Sequence, residues 1–134
     1  RTLDPEGRLV FHPGTEGAGG GFVTTAADLA RWGRLLWSGR AIEGPDLDEM
    51  LTGVATGVPG RSYGLGVGID RSGAEEVRGH GGWIPGHVGS LRYYPAQDVA
   101  IAVQSNSDIG MLGPGGPFDA TEQAISAEIL GTAE

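Results

Sequence analysis

Apolar residues alternate with glycine in the middle of this chain, and no other feature constrains the fold as strongly. The apolar positions of the pattern are Tyr63, Leu65, Val67 and Ile69, and glycine occupies the three positions between them. A period of two predicts a β-strand whose apolar side chains share one face. The other face carries only glycine, so we expect a neighbouring element to pack closely against it.

Three further segments of strand character follow. They are EEVRGHGG, HVGSLRYYP and VAIAVQSN, at residues 75–82, 87–95 and 99–106. The link PAQD at residues 95–98 has the composition of a hairpin turn. VAIAV is apolar at every position, which is typical of a central strand that is covered on both faces. These segments predict an antiparallel meander.

Helix signals stand before the strands. Thr25 is a candidate N-cap with Asp28 three residues later, which approximates a capping box. Leu29, Trp32 and Leu36 then recur at the spacing of one buried helix face. A second, short helix is expected over PDLDEMLTG, which follows at residues 45–53.

Another helix signal stands at the end of the chain, in FDATEQAISAEILG at residues 118–131. Asp119 and Glu122 are candidate capping residues. The side chains expected to face the sheet are Phe118, Ile125 and Ile129. Residues 1–21 are expected to form loop, because GTEGAGGG favours turns. The sequence therefore predicts an α+β fold, in which an antiparallel sheet of three to four strands is flanked by an N-terminal and a C-terminal helix.

Charge and residue content exclude several functions. The 134 residues include 9 basic and 17 acidic side chains, and this net charge of −8 argues against nucleic acid or an anionic membrane as a partner. Cysteine is absent, which excludes disulfides, thiol catalysis and zinc–thiolate sites. No apolar run approaches the roughly 20 residues of a membrane helix. We expect no membrane span in this chain.

The stretch RGHGGWIPGH, residues 78–87, concentrates the candidate functional residues. It holds two of the three histidines, His80 and His87, together with four glycines. A metal site is disfavoured, because two histidines seven residues apart match no ligand spacing and His12 lies in a distant segment. We therefore expect neither a metal nor another cofactor.

Other chemistries find weak support. The glycine-rich segments GAGGGF and GLGVG match no phosphate-binding loop, and a chain without lysine cannot carry a Walker motif. Ser90, Ser105 and Ser107 are candidate nucleophiles, but no GxSxG elbow surrounds them. A further interpretation concerns the backbone. Glycine near the end of a strand lets a ligand approach the strand edge, whose N–H groups can bind an extended substrate or an oxyanion.

The segment HGGWIPG at residues 80–86 resembles the third motif, H-x-G in place of Lys-Thr-Gly, of the serine β-lactamase and penicillin-binding-protein superfamily. The likeness is to its class C-like branch of β-lactamases, D-alanyl-D-alanine carboxypeptidases and related esterases. GGGFVTTAADLARW, YGLGVGI and LRYYPAQDVAIAVQSNS resemble other family segments, in the same order. The resemblance implies that residues 1–134 are the C-terminal third of a β-lactamase/transpeptidase-like domain, an incomplete domain.

The resemblance also implies roles for the residues of the motif. His80 replaces a lysine that helps to recognise the carboxylate of the substrate and supports proton movement. The backbone N–H of Trp83 becomes one oxyanion donor. Gly81 and Gly82 keep the strand edge open for the substrate. His87 is expected to be part of the scaffold.

The residues that begin this chemistry are absent. Without lysine the Ser-x-x-Lys motif of the family cannot occur, and the single asparagine, Asn106, follows the third motif instead of preceding it. Tyr63 lacks the asparagine of the family's second motif and receives no role. Because a nucleophile needs its base within hydrogen-bond reach, we expect both to lie upstream in a longer protein. This chain alone should be inactive.

Two classes of function remain. The first is the C-terminal part of a serine hydrolase that acts through an acyl-enzyme on a small-molecule or peptide-like acyl substrate, with a peptidase or esterase favoured over a dedicated β-lactamase. The second is a non-catalytic binding or assembly module that kept the fold. Exposed sheet edges predict contact with the missing N-terminal part or with a second copy. The compartment stays open, although the resemblance favours an extracytoplasmic location.

Overall fold

A block of six strands lies between helices, as the order of the sequence signals predicts. The computed structural model describes residues 4–8, 10, 12–20 and 22–131. In chain order the helices and strands are α1 (Ala26–Trp37), α2 (Pro45–Leu51), β1 (Val54–Ala55), β2 (Arg61–Tyr63), β3 (Gly68–Asp70), β4 (Val77–Ile84), β5 (His87–Tyr94), β6 (Val99–Ser105) and α3 (Pro117–Leu130). The prediction of loop over residues 1–21 is wrong for Pro13–Gly19, which forms a short 3₁₀ segment interrupted at Gly17.

The strands form one antiparallel sheet in the order β1-β2-β3-β4-β5-β6, so each strand pairs with its neighbours in sequence. The α+β class and the antiparallel meander are therefore confirmed, whereas the expected three to four strands are too few. The apolar segment VAIAV forms β6 at one end of this order, so its prediction as a central strand is wrong. Among the described residues, β6 pairs only with β5.

The glycine-rich alternation forms two strands, not one. Tyr63 ends β2 and Gly68 begins β3, and these two residues face each other across the antiparallel pair. Between them the Gly64 N–H donates to the Val67 carbonyl at 2.8 Å, and Gly66 adopts a φ of +73° that favours glycine. The single strand predicted over residues 63–69 is therefore wrong. A tight turn rich in glycine produces the same apolar–glycine alternation as a continuous strand.

Helix α1 begins where its capping signal predicts. The Thr25 hydroxyl accepts a hydrogen bond from the Asp28 N–H at 3.1 Å. The face that the helix buries is rotated from the predicted one, because Trp37 is 3% exposed and Trp32 is 51% exposed. Gly33 lets the helix approach β5 closely, since a Cβ built there would lie 2.8 Å from the Leu91 side chain.

The core lies between α1 and one face of the sheet. Its buried cluster consists of Trp37, Val67, Ile69, Leu91 and Tyr93. The partly buried side chains packed against that cluster are Leu29, Leu36, Met50, Leu51, Ala100 and Ala102. Strands β3 and β5 therefore contribute their apolar residues to the same face that α1 covers.

Helix α3 contacts the opposite face of the sheet. Arg92 of β5 pairs with Glu122 of α3 at 2.6 Å, and successive strand residues point to opposite faces, so Leu91 and Arg92 identify the two sides. Phe118 is buried as predicted, but Ile125 and Ile129 are 36% and 55% exposed. The predicted sheet-facing side of α3 is thus only partly correct, because Glu122 and Ser126 occupy buried positions instead. No helix in the described ranges is both long enough and apolar enough to cross a membrane.

The hairpin between β5 and β6 anchors α1. Asp98, in the predicted PAQD turn, accepts hydrogen bonds from Arg34 at 2.6 Å, Arg40 at 3.0 Å and the Tyr93 hydroxyl at 3.2 Å. The hydrogen bond from Arg34 is the largest influence on the Asp98 carboxyl and helps to lower its pKa to about 2. One turn residue therefore joins the helix to the sheet.

Candidate active site

Strand β4 extends beyond the end of its neighbour β3. Its first three residues, Val77–Gly79, pair with β3, and Arg78 and Gly79 also pair with β5, whereas His80–Ile84 pair only with β5. We refer to Val77–Gly79 as the pinned half of β4 and to His80–Ile84 as the open half. Within the described part of the chain, the edge of the open half has no partner strand, so its peptide groups are available to a ligand.

The register of the β4–β5 hairpin determines which peptide groups these are. The hairpin closes on the pair Ile84 and His87, and Gly86 in the two-residue turn has a φ of +87°. Residues of an antiparallel ladder alternate between bonding to the partner strand and pointing away from it. Counted back from the turn, the N–H groups of Gly81 and Trp83 point away from β5. The predicted oxyanion donor thus lies on the open edge.

The glycines of the open half face empty space. A Cβ built at Gly82 meets no atom within 4 Å, and one built at Gly81 would lie 3.8 Å from the Gly89 carbonyl oxygen. In the pinned half, a Cβ at Gly79 would clash with the Leu91 carbonyl oxygen and lie 2.9 Å from Arg92 Cδ. Packing therefore requires glycine at position 79, but neighbouring atoms do not require it at position 82.

His80, the first residue of the open half, contacts Tyr63 at the end of β2. The Tyr63 hydroxyl lies 2.8 Å from His80 Nε2, and the two rings meet edge to face with centroids 5.9 Å apart. Tyr63 has no role in the family resemblance, and its contact with His80 was not predicted from sequence. The only signal that could have indicated it was the glycine turn after Tyr63. Strand β3 begins after this turn, at Gly68 opposite Gly79, and provides no residue opposite His80.

Trp83 carries a second contact that the sequence analysis missed. Its indole Nε1 donates to Asp108 in the loop after β6 at 2.8 Å, while the side chain remains 53% exposed. Ile84 is 37% exposed and Ile109, next to Asp108 in sequence, is 88% exposed. The open half therefore presents apolar side chains beside a backbone edge.

The hydrogen bonds and burial of the other candidate residues place them away from the open edge of β4. His12 Nδ1 accepts a hydrogen bond from the Gly14 N–H at 3.0 Å in the N-terminal segment. Ser105 and Ser107 bond to each other, and Ser90 is buried in β5. His87 is exposed beside the hairpin turn. Among the residues that the structure describes, no group of three or more histidine, aspartate or glutamate side chains could hold a metal ion.

A separate groove of about 810 Å³ lies between α3 and the sheet. Its charged lining residues include Arg61, Asp70, Arg92 and Glu122. His80, Gly81, Gly82 and Trp83 do not line it. The groove and the open half of β4 therefore have different lining residues, and they adjoin at Tyr63, which lines the groove and contacts His80.

Comparisons with known proteins agree with the fold. The sequence profile of the beta-lactamase family matches residues 2–123. No curated protein matches the chain.

Solved structures provide the remaining comparisons. A D-stereospecific amidohydrolase from Streptomyces sp. is 32% identical with a TM-score of 0.71, over 90% of this chain and 34% of its own. A D-amino acid amidase from Ochrobactrum anthropi SV3 complexed with D-phenylalanine is 26% identical with a TM-score of 0.64, over 87% and 40%. The same amidase complexed with L-phenylalanine amide has a TM-score of 0.69 at 24% identity, over 92% and 38%. The chain thus spans little more than a third of the length of these proteins.

Proposed function

Because the chain belongs to the beta-lactamase family, we propose that it supplies one wall of the active site of a serine hydrolase. The reaction is acyl transfer. A serine oxygen bonds to a carbonyl carbon, the bond from that carbon to the leaving group breaks, and water then releases the acid and restores the serine. The observation that carries the proposal is the open half of β4, whose edge lacks a partner strand among the described residues.

The Trp83 N–H is the oxyanion donor in this proposal. Negative charge develops on the oxygen of the attacked carbonyl, and a peptide N–H that is already held in place stabilises this charge without reorganisation. The ladder directs the Trp83 N–H away from β5, towards the free edge. Two contacts support a stable position for this residue, namely its pairing with Val88 across the hairpin and the bond from its indole to Asp108.

The other members of the site receive roles that fit their surroundings. Gly81 and Gly82 leave room for the substrate along the edge, in agreement with the absence of close atoms around both, since a Cβ at Gly82 would meet nothing within 4 Å and one at Gly81 would meet only the Gly89 carbonyl oxygen at 3.8 Å. His80 faces the same substrate as a hydrogen-bonding side chain. The preferred substrate class is the amide of a D-amino acid, because two similar structures are a D-stereospecific amidohydrolase and a D-amino acid amidase. Carboxypeptidase and esterase activity involve the same acyl transfer and belong in the same assays.

The nucleophile and its base belong to a longer protein, of which this chain is the C-terminal part. A chain without lysine cannot supply the Ser-x-x-Lys motif. The similar structures extend well beyond the matched region, since the chain covers 34% of one and 40% of another. On its own the chain therefore hydrolyses neither β-lactams, esters nor amides.

The open outer edge of β6 is the proposed contact for that remainder or for a second copy. Its residues Val99–Ser105 are mostly apolar and pair on one side only within the described chain. Unpaired apolar strands tend to recruit another strand. Light scattering on the isolated chain should therefore report a dimer or larger species, and a stable monomer would contradict this contact.

A pair of substitutions at Trp83 tests the proposed oxyanion donor in the whole protein. Trp83→Ala removes the indole and keeps the N–H, whereas Trp83→Pro removes both. Proline is tolerated where a strand N–H faces away from the ladder, so both variants should fold. Hydrolysis of D-phenylalanine amide by the alanine variant should stay within about tenfold of the unsubstituted protein, and the proline variant should lose a further 10²- to 10³-fold, as oxyanion-donor removal typically does.

The result of this test depends on the difference between the two variants. Circular dichroism and unfolding midpoints confirm that each is folded. Equal activities of the folded alanine and proline variants would contradict the role of the Trp83 N–H.

Covalent labelling separates an enzyme from a non-catalytic binding module. A fluorescent fluorophosphonate or penicillin should label the whole protein at a serine upstream of Arg1, in a Ser-x-x-Lys motif. A protein that contains no such motif, or that resists both reagents and hydrolyses no amide, would instead favour the binding or assembly module.

A further inference from the structure

The contact between Tyr63 and His80 crosses the sheet in an unusual way. The two residues belong to β2 and β4, and β3 lies between these strands. The phenol nevertheless reaches the imidazole, with 2.8 Å between the hydroxyl oxygen and Nε2. It can do so because β3 begins at Gly68 opposite Gly79 and provides no residue opposite His80. The end of β3 thus leaves space for a side chain from one strand further away.

Strand pairing and hydrogen bonds fix the position of the backbone around Tyr63. Tyr63 pairs with Val54 of β1 and with Gly68 of β3. The next residue, Gly64, lies against the end of α2, where a Cβ would clash with the Met50 carbonyl oxygen. The Leu65 N–H donates to that same carbonyl at 3.0 Å. The phenol therefore projects from a fixed base and not from a free loop.

The chemistry of imidazole gives this contact a consequence. A neutral imidazole has one nitrogen that donates and one that accepts, and the partner of one nitrogen determines where the proton resides. A phenol that donates to Nε2 places the proton on Nδ1. An unrestrained ring could present either nitrogen, whereas a lysine in the same position would donate in any orientation. A histidine at this edge consequently needs a residue that orients it.

We propose that Tyr63 is the positioning residue for His80. Its hydroxyl donates to Nε2, holds the ring in the Nδ1–H tautomer, and leaves Nδ1–H as the donor towards a substrate on the open half of β4. The substrate-facing part of this role depends on the proposed hydrolase function, whereas the hydrogen bond and the tautomer do not.

Nuclear magnetic resonance of the whole protein with ¹⁵N-labelled histidine tests the tautomer directly. At about pH 8.5, where ordinary imidazoles are neutral, His80 should carry its proton on Nδ1. Tyr63→Phe keeps the ring and removes the hydroxyl, so the two tautomers of His80 should then exchange towards the mixture seen for free imidazole. His80→Gln assigns the signal, and His87 serves as an internal reference that should not change.

Tyr94→Phe is the matched control. It removes the hydroxyl of a tyrosine in β5 that lines the groove between α3 and the sheet. The His80 signals in that variant should equal those of the unsubstituted protein. A proton on Nε2 in the unsubstituted protein, or His80 signals that are the same with and without the Tyr63 hydroxyl, would overturn the assignment.

Kinetics separate this inference from the proposed function. If the whole protein hydrolyses D-phenylalanine amide, Tyr63→Phe should lower kcat/KM about tenfold, at the lower end of typical proton-transfer contributions, and should change the shape of its pH profile. Unchanged kinetics over the whole pH range would overturn the positioning role even with an altered tautomer. A protein inactive towards all substrates with the expected tautomer shift would refute the hydrolase function and leave the hydrogen-bond assignment standing.

Discussion

The two halves of β4 belong to one continuous strand but differ in their surroundings. The pinned half, Val77–Gly79, lies between two strands and includes the buried Gly79, whereas every residue of the open half, His80–Ile84, is exposed. In the pinned half, Arg78 donates to the Trp37 carbonyl at 2.9 Å and thereby joins the strand to α1. A sheet can therefore hold one end of a strand between two neighbours and leave the other end with a free edge.

Glycine substitution should separate the two halves most strongly. Gly79→Ala should destabilise the fold by about 2–3 kcal/mol, because overpacking against a neighbouring backbone has no easy relief. Gly82→Ala, which meets open space, should change the free energy of unfolding by no more than about 0.5 kcal/mol. Urea unfolding measures both. Similar losses for the two variants would mean that the halves do not differ in packing.

The link to α1 should have the next largest effect. Arg78→Met removes a largely buried guanidinium that bonds to Glu76 at 2.6 Å as well as to the Trp37 carbonyl, and should cost about 1–2 kcal/mol of unfolding free energy. Arg71→Met is the control, since Arg71 contacts the same Glu76 from an exposed position and should cost less than about 0.5 kcal/mol. Denaturant unfolding of the two variants should preserve that order, and the reverse order would refute the anchoring role of Arg78.

Acid should weaken two carboxylate contacts, that of Glu76 with Arg78 of the pinned half and that of Asp98 with α1. Burial raises the pKa of the Glu76 carboxyl, but hydrogen bonds and charges from Arg78 and Arg71 outweigh it and lower that pKa. The Asp98 carboxyl has its pKa lowered from 3.8 to about 2, chiefly by the hydrogen bond from Arg34. A group with a lowered pKa stabilises the fold above its unfolded value and loses this contribution as pH falls towards its folded value.

The stability of the unsubstituted protein should therefore fall between about pH 4 and pH 2, the range set by the two Asp98 values. Asp98→Asn should be less stable at neutral pH and should show a shallower fall over the same interval. Urea unfolding at several pH values measures both slopes. A variant whose slope equals that of the unsubstituted protein would show that Asp98 does not carry the acid response.

The smallest effect is expected from the Trp83 side chain in the open half of β4. Trp83→Phe removes the indole N–H bonded to Asp108 but leaves the backbone N–H, and a bond at an exposed site should contribute only about 0.5 kcal/mol. Both the unfolding midpoint and the acylation rate of the whole protein should remain near those of the unsubstituted protein. A large loss of acylation with unchanged stability would move the function from the backbone to the indole.

Local chemistry made much of the fold predictable. Thr25 marks the start of α1, because a hydroxyl at that position bonds to a helix N–H whatever the rest of the chain does. The link PAQD marks the turn between β5 and β6, because its composition suits a hairpin turn. The resemblance of residues 80–86 to a known motif also identified the strand that the structure leaves open, although the role of its residues stays a prediction.

Longer-range features were less predictable from sequence. Trp32 and Trp37 both suit an apolar helix face, and only the position of the sheet determines that Trp37 is buried. Ile129 fits the apolar face of α3, yet it remains 55% exposed. In each case the helical period leaves a choice of face, and a neighbouring element makes that choice.

By itself, the sequence determined the antiparallel class, the placement of helices before and after a block of strands, and the absence of the lysine that a Ser-x-x-Lys motif requires. Only the tertiary structure decided that the alternation at residues 63–69 breaks into two strands, that β3 begins opposite Gly79, and that Tyr63 contacts His80. The physical reason is that capping and turn preferences act between residues close in sequence, whereas strand register depends on the packing of the whole sheet.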